Sequence, residues 1–421
     1  MSGKKPSSGS AARPGPGGSD ATVMILGAGT LQAPLFDAAR ERGLRTIAVD
    51  AREEAPASAR ADFSYRCDLA DFDACLRIAQ HHKVAGVIGF AVEYPLPTLA
   101  RLSAHLDLAG PSPEAVRRAT DKAAMRQAFA AAGVASPLSL PARTVEEARA
   151  RVAELRDVSS HVILKPAIAS GGRGVTQLPG TAPATKVAEA FERARAHSRS
   201  GTVLVEEYAS GPEFSVEAVT WNGRTEIVAV TDKETSGPPY FVETGHSQPS
   251  QASADVVAAV GAAAVAAVAA LGIDWCGTHT EVRYSPAGPR VIETAARFGG
   301  GLISSHLTPL STGVSLVEAA LDLALGQPPD IAVQKHRGSA IRFLRPAAGL
   351  VRRLQGQAQA QAQAGVVEVE VTVQEGDRVR ELVDGTARVG HVLAEGPDAA
   401  AAIAAAETAR DMITLETEII E

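Results

Sequence analysis

The stretch "VILKPAIASGGRGVTQL", residues 162–178, places one lysine at the end of an apolar, β-branched run and follows it with a glycine-rich turn. Backbone N–H groups of such a turn can converge on an anion, because no Cβ stands in the way, and Lys165 adds a point charge beside them. The lysine precedes the glycines, so the order differs from the G-x-x-x-x-G-K-[ST] loop. The stretch predicts a phosphate site, although a glycine-rich turn taken alone is more often an ordinary hairpin.

The composition predicts a large protein with two to four lobes. The chain has 421 residues, too many for one ordinary core. Its 41 basic and 48 acidic residues are mixed along the sequence and give a net charge of -7, so no basic stripe marks a nucleic-acid partner. Cys67, Cys75 and Cys276 form no C-x-x-C pair. We therefore expect neither a disulfide framework nor a zinc site. The cysteine usage also predicts a cytoplasmic location.

Two segments imitate targeting or membrane signals. Residues 1–20 are rich in Ser, Gly and Pro without an apolar core, which predicts a disordered leader. Residues 256–273 carry no charge over 18 positions, the length of a membrane span, but half of them are alanine. Apolar residues recur there at helical spacing, so the segment is predicted to be a core helix and no membrane partner is expected.

The N-terminal region reads as an open α/β domain over residues 21–120. A buried strand in "ATVMILGAGT", an amphipathic helix in "LQAPLFDAARERG" and a strand ending at Asp50 make a βαβ unit, and "VAGVIGF" adds a parallel strand. A dinucleotide site needs G-x-G-x-x-G, but Gly27 and Gly29 are followed by Gln32 at the third position. The NAD signal is therefore weak. Residues 106–134 are predicted as a strand, a turn and a helix with Lys122 on its outer face.

The rest of the chain reads as three further units, with fold class α/β and α+β overall. Linker helices and a small α+β unit span 121–206, a larger α+β unit with antiparallel strands spans 207–335, and a β-rich C-terminal lobe spans 336–421. The last unit contains the strict alternation "GVVEVEVTV" and ends in a predicted helix. The low-complexity run "QGQAQAQAQAG" within it is predicted to be a mobile loop.

One hairpin in the third unit carries paired carboxylates. If the chain turns about Ala287 in "SPAG", Glu281 and Glu293 stand opposite each other on one face of the sheet. Facing carboxylates repel at a Cβ separation of about 4.5–5.5 Å unless a cation sits between them, and Mg²⁺ takes such oxygen ligands. Alternatively, one of the two is exposed or pairs with Arg283 or Arg290. A one-residue slip in register would also break the pair.

Four ordered motifs resemble those of the ATP-grasp superfamily. They are "DKAAMRQAFAAAGV", "VILKPAIASGGRGV", "VLVEEYASGPEFSVE" and "GTHTEVRYSPAGPRVIETAARFGGG". The resemblance runs from about residue 22 to the C-terminus. Within the superfamily, the loop at 239–250 and the segment "VVEVEVTVQEGDRVRELVDGTARVGHV" resemble bacterial L-amino-acid ligases, which make dipeptides and related amides. The implied architecture is a Rossmann-like N-terminal lobe, a small lid lobe, a large lobe with an antiparallel sheet, and a β-rich C-terminal lobe.

The resemblance implies a role for each matching residue in ATP binding. Lys122 and Lys165 would bind the α- and β-phosphates, and Glu213 would bind the ribose hydroxyls. The turn over the phosphates would consist of Ser170, Gly171, Gly172, Arg173 and Gly174. The hinge that pairs with adenine through its backbone would consist of Glu206, Glu207, Tyr208 and Ala209.

The resemblance also implies the metal and substrate residues. Glu281 and Glu293 match the Mg²⁺ ligands, with Mn²⁺ as a substitute cation, but Ala295 stands where an asparagine is common. Arg297 matches the arginine that stabilises the transferred phosphoryl group. The substrate pocket would draw on Glu243, His246, Gly300, Gly301 and Ser304. Four of these ATP and substrate assignments have an alternative. Lys122 could be a solvated helix lysine, Glu213 a turn residue, His246 a loop histidine with its hydrogen bonds satisfied, and Ser304 a helix cap.

The activity implied by the resemblance is ATP-dependent ligation of a carboxylate to an amine through an acyl phosphate, with ADP and phosphate released. The expected partners are small carboxylates and amines, amino acids first, and a homodimer is compatible with the resemblance. Three rivals remain open. They are a purine-pathway or biotin-carboxylase-like ATP-grasp enzyme with another acceptor, an NAD-dependent oxidoreductase, and a nucleotide-binding module without catalysis.

Overall fold

The computed structural model describes residues 21–419, so the predicted leader lies outside the described residues. The N-terminal lobe contains a parallel four-stranded sheet in the order β3-β2-β1-β4. Its elements are β1 Thr22–Leu26, α1 Ala33–Glu41, β2 Arg45–Asp50, β3 Phe63–Arg66, α2 Phe72–His82, β4 Gly86–Ile88, α3 Leu96–His105, α4 Pro113–Thr120 and α5 Lys122–Ala132.

The predicted βαβ unit is confirmed, because β1 and β2 pair in parallel around α1. Every residue of β1 is buried, as expected for a central strand covered on both faces. The strand predicted near residues 106–109 is wrong, since the chain there makes a turn between helices. Two helices replace the single one expected, because Asp121 ends α4 and caps α5 by accepting a hydrogen bond from Ala123 N.

The second lobe, called the lid lobe below, is an antiparallel four-stranded sheet in the order β5-β8-β6-β7 with two helices. This combination of a sheet and helices agrees with the small α+β unit that the sequence predicted. Its core includes Leu164, Phe191 and Val205. Its elements are β5 Ser139–Ala142, α6 Val145–Leu155, β6 His161–Pro166, β7 Thr176–Pro179, α7 Ala184–His197 and β8 Val203–Glu207.

The third lobe supplies most of an eight-stranded antiparallel sheet in the order β13-β12-β9-β10-β11-β14-β18-β16. The segment 239–250, predicted as a loop, contains a strand paired to both neighbours. A π-helical turn, Ile303–Leu307, follows the hairpin. The regular elements are β9 Glu213–Trp221, β10 Arg224–Thr235, β11 Glu243–Gln248, α8 Ala254–Leu271, β12 Cys276–Ser285, β13 Gly288–Ala295, α9 Thr308–Thr312 and α10 Leu316–Ala324.

Helix α8 is the alanine-rich segment that resembled a membrane span. Within residues 21–419 it is the one helix long and apolar enough to pass that test, which is weak evidence. One face, including Val260, Ala264, Val268 and Leu271, is buried in the core that also contains Val282 and Val291 of the β12–β13 hairpin. The packing agrees with the predicted core helix.

The C-terminal lobe continues the same sheet, since β14 pairs with β11, and adds a small sheet in the order β17-β15-β19. The boundary placed at 335/336 therefore falls within one continuous sheet. The predicted mobile loop is wrong in part, because it contains a short helix whose Ala360 is fully buried. The elements are β14 Gly338–Phe343, β15 Gly349–Gln355, α11 Gln357–Gln361, β16 Val366–Val371, β17 Arg378–Val379, β18 Gly390–Gly396, α12 Ala399–Met412 and β19 Thr414–Glu418.

Candidate active site

The glycine turn of the lid lobe opens onto a cavity of about 700 Å³ between the lobes. Gly171 and Gly172 both have φ +69, and a Cβ on either would meet nothing within 4 Å. Glycine is thus needed for the left-handed conformation and not for space. Arg173 Nε donates to Ser170 O at 3.0 Å, which closes the turn on itself. Residues 170–173 line the cavity with few side chains in the way.

Lys165, on β6 at the start of this turn, belongs to a buried ion cluster. Its Nζ lies 2.7 Å from Glu206 Oε2, and Arg126 Nε lies 3.0 Å from Glu206 Oε1. Burial raises the pKa of Glu206, but Arg126 and Lys165 reverse this and lower it to about 2. Burial, with Arg126 and Lys122 nearby, lowers the pKa of Lys165. The single carboxylate of Glu206 pairs with two cations, so a further anion in the cavity would stabilise the charged form of Lys165.

Lys122, the first residue of α5, points into the cavity and not to the outer face that the sequence predicted. It is 5% exposed, and its Nζ donates to Ala169 O at 2.8 Å and lies 3.1 Å from Glu293 Oε1. Asp121 caps α5 immediately before this residue, and Lys122 N donates to Ala167 O at 3.0 Å, which holds the start of the helix against the lid lobe. Burial lowers the pKa of Lys122, but Glu293 and Glu93 raise it above its usual value. The solvated-lysine alternative is excluded.

Glu281 and Glu293 are direct partners across the β12–β13 hairpin, so the predicted register is confirmed. The turn geometry behind the prediction was wrong. Ser285 pairs with Gly288, so the hairpin is centred half a residue before Ala287, the expected centre. A regular hairpin with this centre would pair Glu281 with Ile292 and not with Glu293. A β-bulge at Ile292 restores the facing pair.

Lys233 of β10 is the cation that the sequence analysis missed. Its Nζ lies 2.8 Å from both Glu213 and Glu281 and 3.4 Å from Glu243. Burial alone lowers the pKa of Lys233, and the three carboxylates raise it well above its usual value. Its surroundings, "TDKET", look like an exposed strand end, so no pattern singled it out.

The arginines proposed as carboxylate partners pair elsewhere. Arg283 Nη2 lies 2.7 Å from Glu213 Oε2, and its Nη1 donates to the Tyr208 hydroxyl at 2.8 Å. Arg290 lies 3.7 Å from Glu207. Glu213 is therefore fixed by two cations, and it is more than a turn residue.

A buried network lies behind the facing carboxylates. Glu217 accepts hydrogen bonds from Gly299 N at 2.9 Å and Ser304 Oγ at 2.8 Å, and it pairs with His279 Nδ1. His279 Nε2 lies 3.6 Å from Glu281. Burial lowers the pKa of His279, but Glu217 raises it to about 9. Ser304, a predicted substrate residue, is fully buried and its hydroxyl is committed to Glu217.

Arg297 lies two residues beyond the end of β13 and not on the strand, as the sequence had suggested. Its Nη1 donates to Phe298 O at 3.0 Å, and its Nε is buried without a hydrogen-bond partner in the described part of the chain. It lines the same cavity as Lys122, Lys165 and the facing carboxylates. The cavity thus gathers the predicted phosphate, metal and transfer residues.

Four of the five predicted substrate residues, Glu243, His246, Gly300 and Gly301, line the cavity, and Ser304 does not. Glu243 is 3.2 Å from Arg388 of the C-terminal lobe. His246 is 1% exposed and its Nδ1 lacks a hydrogen-bond partner within the described residues. Burial lowers the pKa of His246 to about 3, so its ring is neutral. A Cβ on Gly301 would come within 3.2 Å of the His246 ring, so glycine keeps the space beside this ring open.

All four predicted hinge residues also line the cavity. The rings of Tyr208 and Phe241 stack with centroids 5.7 Å apart. Glu207 N donates to Leu138 O at 3.0 Å and Tyr208 N to His161 O at 3.1 Å. Glu206 lies within β8, which pairs with both β5 and β6, so at least the N–H groups of Glu207 and Tyr208 among the four predicted hinge residues are used within the protein.

Glu93, in the loop after β4, is a further cavity residue that the sequence analysis missed. It is 3% exposed, and neither carboxylate oxygen has a hydrogen bond within residues 21–419. Burial raises its pKa. Its sequence context, "FAVEYP", has no recognisable motif.

The donor set at the hairpin is compatible with Mg²⁺. No three His, Cys, Asp or Glu side chains are grouped to hold a metal ion anywhere in residues 21–419. Mg²⁺ needs fewer protein ligands, because it usually takes one or two carboxylates together with phosphate oxygens. Glu281 and Glu293 offer such a pair, while Ala295 contributes only a buried methyl group.

The N-terminal glycines are closed to a dinucleotide. Gln32 accepts from Gly29 N at 3.0 Å and donates to Phe90 O at 2.6 Å. Asp50, at the position of a ribose-binding acid, accepts from Ala28 N at 2.9 Å and pairs with Arg52. Side chains of this chain fill the place where a pyrophosphate and ribose would lie.

Comparison with known proteins agrees with this geometry. Residues 158–306 match the ATP-grasp domain family, and residues 342–418 match L-amino acid ligase C-terminal domain 2. An uncharacterized protein of Sinorhizobium fredii is 28% identical over 343 residues, 80% of this chain and 70% of that protein. Alanine–anticapsin ligase of Bacillus subtilis is 30% identical over 283 residues, 59% of this chain and 57% of the ligase. The match thus spans little more than half of that ligase.

Solved structures confirm the fold. The L-amino acid ligase of Bacillus licheniformis superposes with a TM-score of 0.80 at 20% identity, covering 94% of this chain and 99% of that one. Phosphoribosylglycinamide synthetase of Anaerococcus prevotii superposes with a TM-score of 0.73 at 18% sequence identity, covering 95% of this chain and 100% of that one. At these identities the likeness shows architecture alone, and it confirms the four-lobed arrangement predicted from the motifs. By its two family matches and its fold, the chain is an ATP-grasp superfamily protein with an L-amino acid ligase C-terminal domain.

Proposed function

We propose that this protein is an ATP-dependent carboxylate–amine ligase that joins an amino acid, or a similar carboxylate, to an amine through an acyl phosphate. ADP and phosphate are the other products. The observation that carries the proposal is the facing pair Glu281 and Glu293 in one cavity with Lys122, Lys165 and Arg297. The cavity thus brings together cations that can bind phosphates and carboxylates that can bind a metal, and phosphoryl transfer requires both.

The chemistry follows from the weakness of a carboxylate as an electrophile. Its negative charge repels nucleophiles and its oxygen leaves badly, so phosphorylation must come first. Lys165 and Lys122 hold the phosphate chain in line, and Arg297 stabilises charge on the moving phosphoryl group. Mg²⁺, or Mn²⁺ in its place, would be held by Glu281 and Glu293 and would neutralise charge on the β- and γ-phosphates. The glycine turn excludes water from the acyl phosphate until an amine attacks.

The nucleotide base is assigned to the part of the cavity that the hinge residues line. The stacked Tyr208 and Phe241 rings line the cavity together with Ile163 and Ile292, and these side chains offer apolar contacts for adenine. Glu206 lies within the doubly paired strand β8, and Glu207 N and Tyr208 N are already committed, so backbone pairing with adenine is assigned to Ala209 N–H. Glu213, which Arg283 links to the Tyr208 hydroxyl, is assigned to the ribose.

The amino-acid substrate class is supported by the C-terminal lobe. That lobe matches an L-amino acid ligase domain and places Asp384, Gly385 and Arg388 on the cavity wall beside Glu243. Free thiols at all three cysteines are in keeping with a reducing cytoplasm, where ATP and free amino acids are the expected partners.

The nucleotide product tests the reaction class. Attack at the γ-phosphorus leaves ADP, whereas an adenylating ligase releases AMP and pyrophosphate. Hydroxylamine should trap the acyl phosphate as a hydroxamate when amino acids are supplied singly, and omitting the carboxylate should stop most ADP formation. AMP as product would refute the mechanism. ADP that depends on bicarbonate or a ribonucleotide, without any hydroxamate, would move the protein to the other branch of the superfamily.

A further inference from the structure

Outside the cavity, one arginine of the lid lobe contacts two other lobes. Arg193 lies on helix α7, and its Nη2 donates to Val383 O of the C-terminal lobe at 3.2 Å. Its guanidinium carbon also lies 4.3 Å from the centroid of the Tyr240 ring, in the loop at 236–242 between β10 and β11. A single side chain therefore joins the lid lobe to the third lobe and to the C-terminal lobe.

The sheet of the lid lobe contacts the same loop through its edge strand. Strand β7 stands at the end of the order β5-β8-β6-β7, so the N–H groups on its outer side have no strand partner. One of them, Gln177 N, donates to Pro239 O at 3.0 Å, next to Tyr240. The loop at 236–242 thus receives one contact from the lid sheet and one from helix α7.

The groups that Arg193 contacts also reach the cavity. Tyr240 lines it, and so do Asp384 and Gly385, which follow Val383 directly. Asp384 Oδ1 accepts from Thr386 N at 2.8 Å and from Thr386 Oγ1 at 2.6 Å, so the loop that presents Val383 O is held by its own hydrogen bonds. If the lid lobe moved away from these contacts, the cavity would open at this edge.

The contacts of Arg193 are suited to reversible binding. A hydrogen bond from a charged group and a cation–π contact together favour the docked lid by about tenfold to hundredfold. Arg193 Nε opposes this, because it is buried without a hydrogen-bond partner within residues 21–419 and would gain water if the lid opened. A lid that must open in each turnover to release ADP needs such a moderate preference.

We propose that Arg193 is a positioning residue that holds the lid lobe against the loop at 236–242 and against the C-terminal lobe while the acyl phosphate exists. With the lid held, the amine is the nucleophile that reaches the intermediate. With the lid released, water cleaves the bond between the acyl group and the phosphate, which returns the carboxylate and releases phosphate and a proton. ATP is then consumed without an amide. This inference rests on the proposed ligase function and adds the residue that keeps the two half-reactions coupled.

The first measurement is amide hydrogen exchange at Gln177, because its N–H bonds across the lobes and reports docking of the lid. Arg193→Ala should speed this exchange about tenfold, the scale for losing a hydrogen bond to a charged group. Amides of β6, which is paired on both sides within the lid lobe, should keep their wild-type rates. The exchange is followed without nucleotide and with Mg²⁺ and the non-hydrolysable analogue AMP-PNP.

Arg195→Ala is the matched control for this exchange. Arg195 is exposed on the same helix, and among the contacts described it pairs with Glu192 alone. Alanine favours a helix at either position, so both variants should fold. Exchange at Gln177 should stay at the wild-type rate in Arg195→Ala.

The second measurement is the ratio of ADP formed to amide formed, with an equimolar mixture of the common L-amino acids supplying both carboxylate and amine. Wild-type protein should form about one ADP per amide, since the lid excludes water. Arg193→Ala should raise the ratio about three- to tenfold, because the lid is open for a larger share of the lifetime of the acyl phosphate. Arg193→Lys restores a cation near the Tyr240 ring and a donor for Val383 O without the planar guanidinium, so it should recover part of the wild-type ratio.

The outcomes separate the inference from the proposed function. Unchanged exchange at Gln177 in Arg193→Ala would overturn the inference. Faster exchange throughout β6 would overturn it too, because Arg193 would then support the fold of the lid lobe itself. Faster exchange at Gln177 with an unchanged ratio of ADP to amide would show that the contact does not protect the intermediate. Neither ADP nor amide from any amino acid would count against the proposed function, while exchange at Gln177 would still decide whether Arg193 holds the lid.

Discussion

Two glycine turns follow buried strands in this chain, and they differ in whether side chains of the protein already bind their backbone N–H groups. After β1, Gly29 N donates to the Gln32 side chain and Ala28 N donates to the Asp50 carboxylate, so side chains of the protein satisfy the backbone N–H groups of the turn. After β6, the turn at Gly171 and Gly172 faces the cavity, with nothing within 4 Å of either Cβ position. Both read as anion-binding turns in the sequence. What separates them is whether the backbone donors are already used.

The comparison teaches that a glycine pattern specifies a backbone shape and not a ligand. The lid turn also has Lys165 beside it, with a pKa lowered by burial and by other cations, so it gains from an incoming anion. The N-terminal turn already has a carboxylate in that place, and a second anion would be repelled. Nucleotide should therefore depend on the lid turn and its partners alone.

The largest effect is expected from Glu293→Gln, on the hairpin opposite the lid turn. Turnover should fall about 1000-fold or more, because a metal site contributes several kcal/mol of charge stabilisation in the transition state. Folding should survive, since the amide keeps the shape and Lys122 retains its bond to Ala169 O. ADP release and thermal unfolding measure the two.

If Glu293→Gln, or the wild-type enzyme in EDTA, turned over at the wild-type rate, the hairpin would not be the site of a catalytic metal. The lid turn would then lack the counterpart that a phosphoryl-transfer site requires, and the contrast with the N-terminal turn would lose its functional meaning.

A smaller effect is expected from Lys165→Ala. ATP affinity measured by calorimetry should fall about 10- to 100-fold, because a hydrogen bond to a charged group is worth about 1.5–3 kcal/mol. Lys186→Ala is the matched control, since it removes an exposed lysine of the same lobe that pairs only with Glu189 among the contacts described. Equal ATP affinity in both variants would return the lid turn to an ordinary hairpin.

The glycines themselves allow a sharper comparison. Gly172 and Gly201 have φ +69 and +71, and a Cβ on either would meet nothing within 4 Å. Alanine at each should cost a similar 1–2 kcal/mol, about the penalty for a left-handed L-residue. Only Gly172 lines the cavity, so only Gly172→Ala should weaken ATP binding, by a few-fold. An identical ATP response in the two variants would show that the lid turn does not contact nucleotide.

The elements that the sequence predicted well depend on local pattern. Strand β1, helix α8 and the β12–β13 hairpin all carry strong periodicity or turn signals, and the residues of four ordered motifs do meet in one cavity. The cations and anions that balance them come from distant segments with no local signature. Lys233 and Glu93 acquire their importance from burial and from neighbours that only the folded sheet supplies. The bulge at Ile292 shows the same limit, because a register depends on an irregularity that turn residues do not reveal.

The smallest effect on catalysis is expected from Asp50→Asn in the N-terminal turn. Burial raises the pKa of Asp50, but hydrogen bonds from Arg52 and Ala28 N lower it from the ordinary 3.8 to about 2. A lowered folded pKa means that the ionised carboxylate stabilises the fold above about pH 4 and that this contribution is lost as the pH falls toward 2. The variant should lose about 1–2 kcal/mol of unfolding free energy at pH 7, allowing for the exposed Arg52 guanidinium, and the difference should shrink in acid. Urea unfolding at pH 7 and pH 2.5 measures it. ATP affinity should stay at the wild-type value, because the donors of this turn never meet nucleotide. A loss of ATP affinity in Asp50→Asn equal to that in Lys165→Ala would place nucleotide at both turns and overturn the distinction between a turn that the protein fills and a turn that it leaves open.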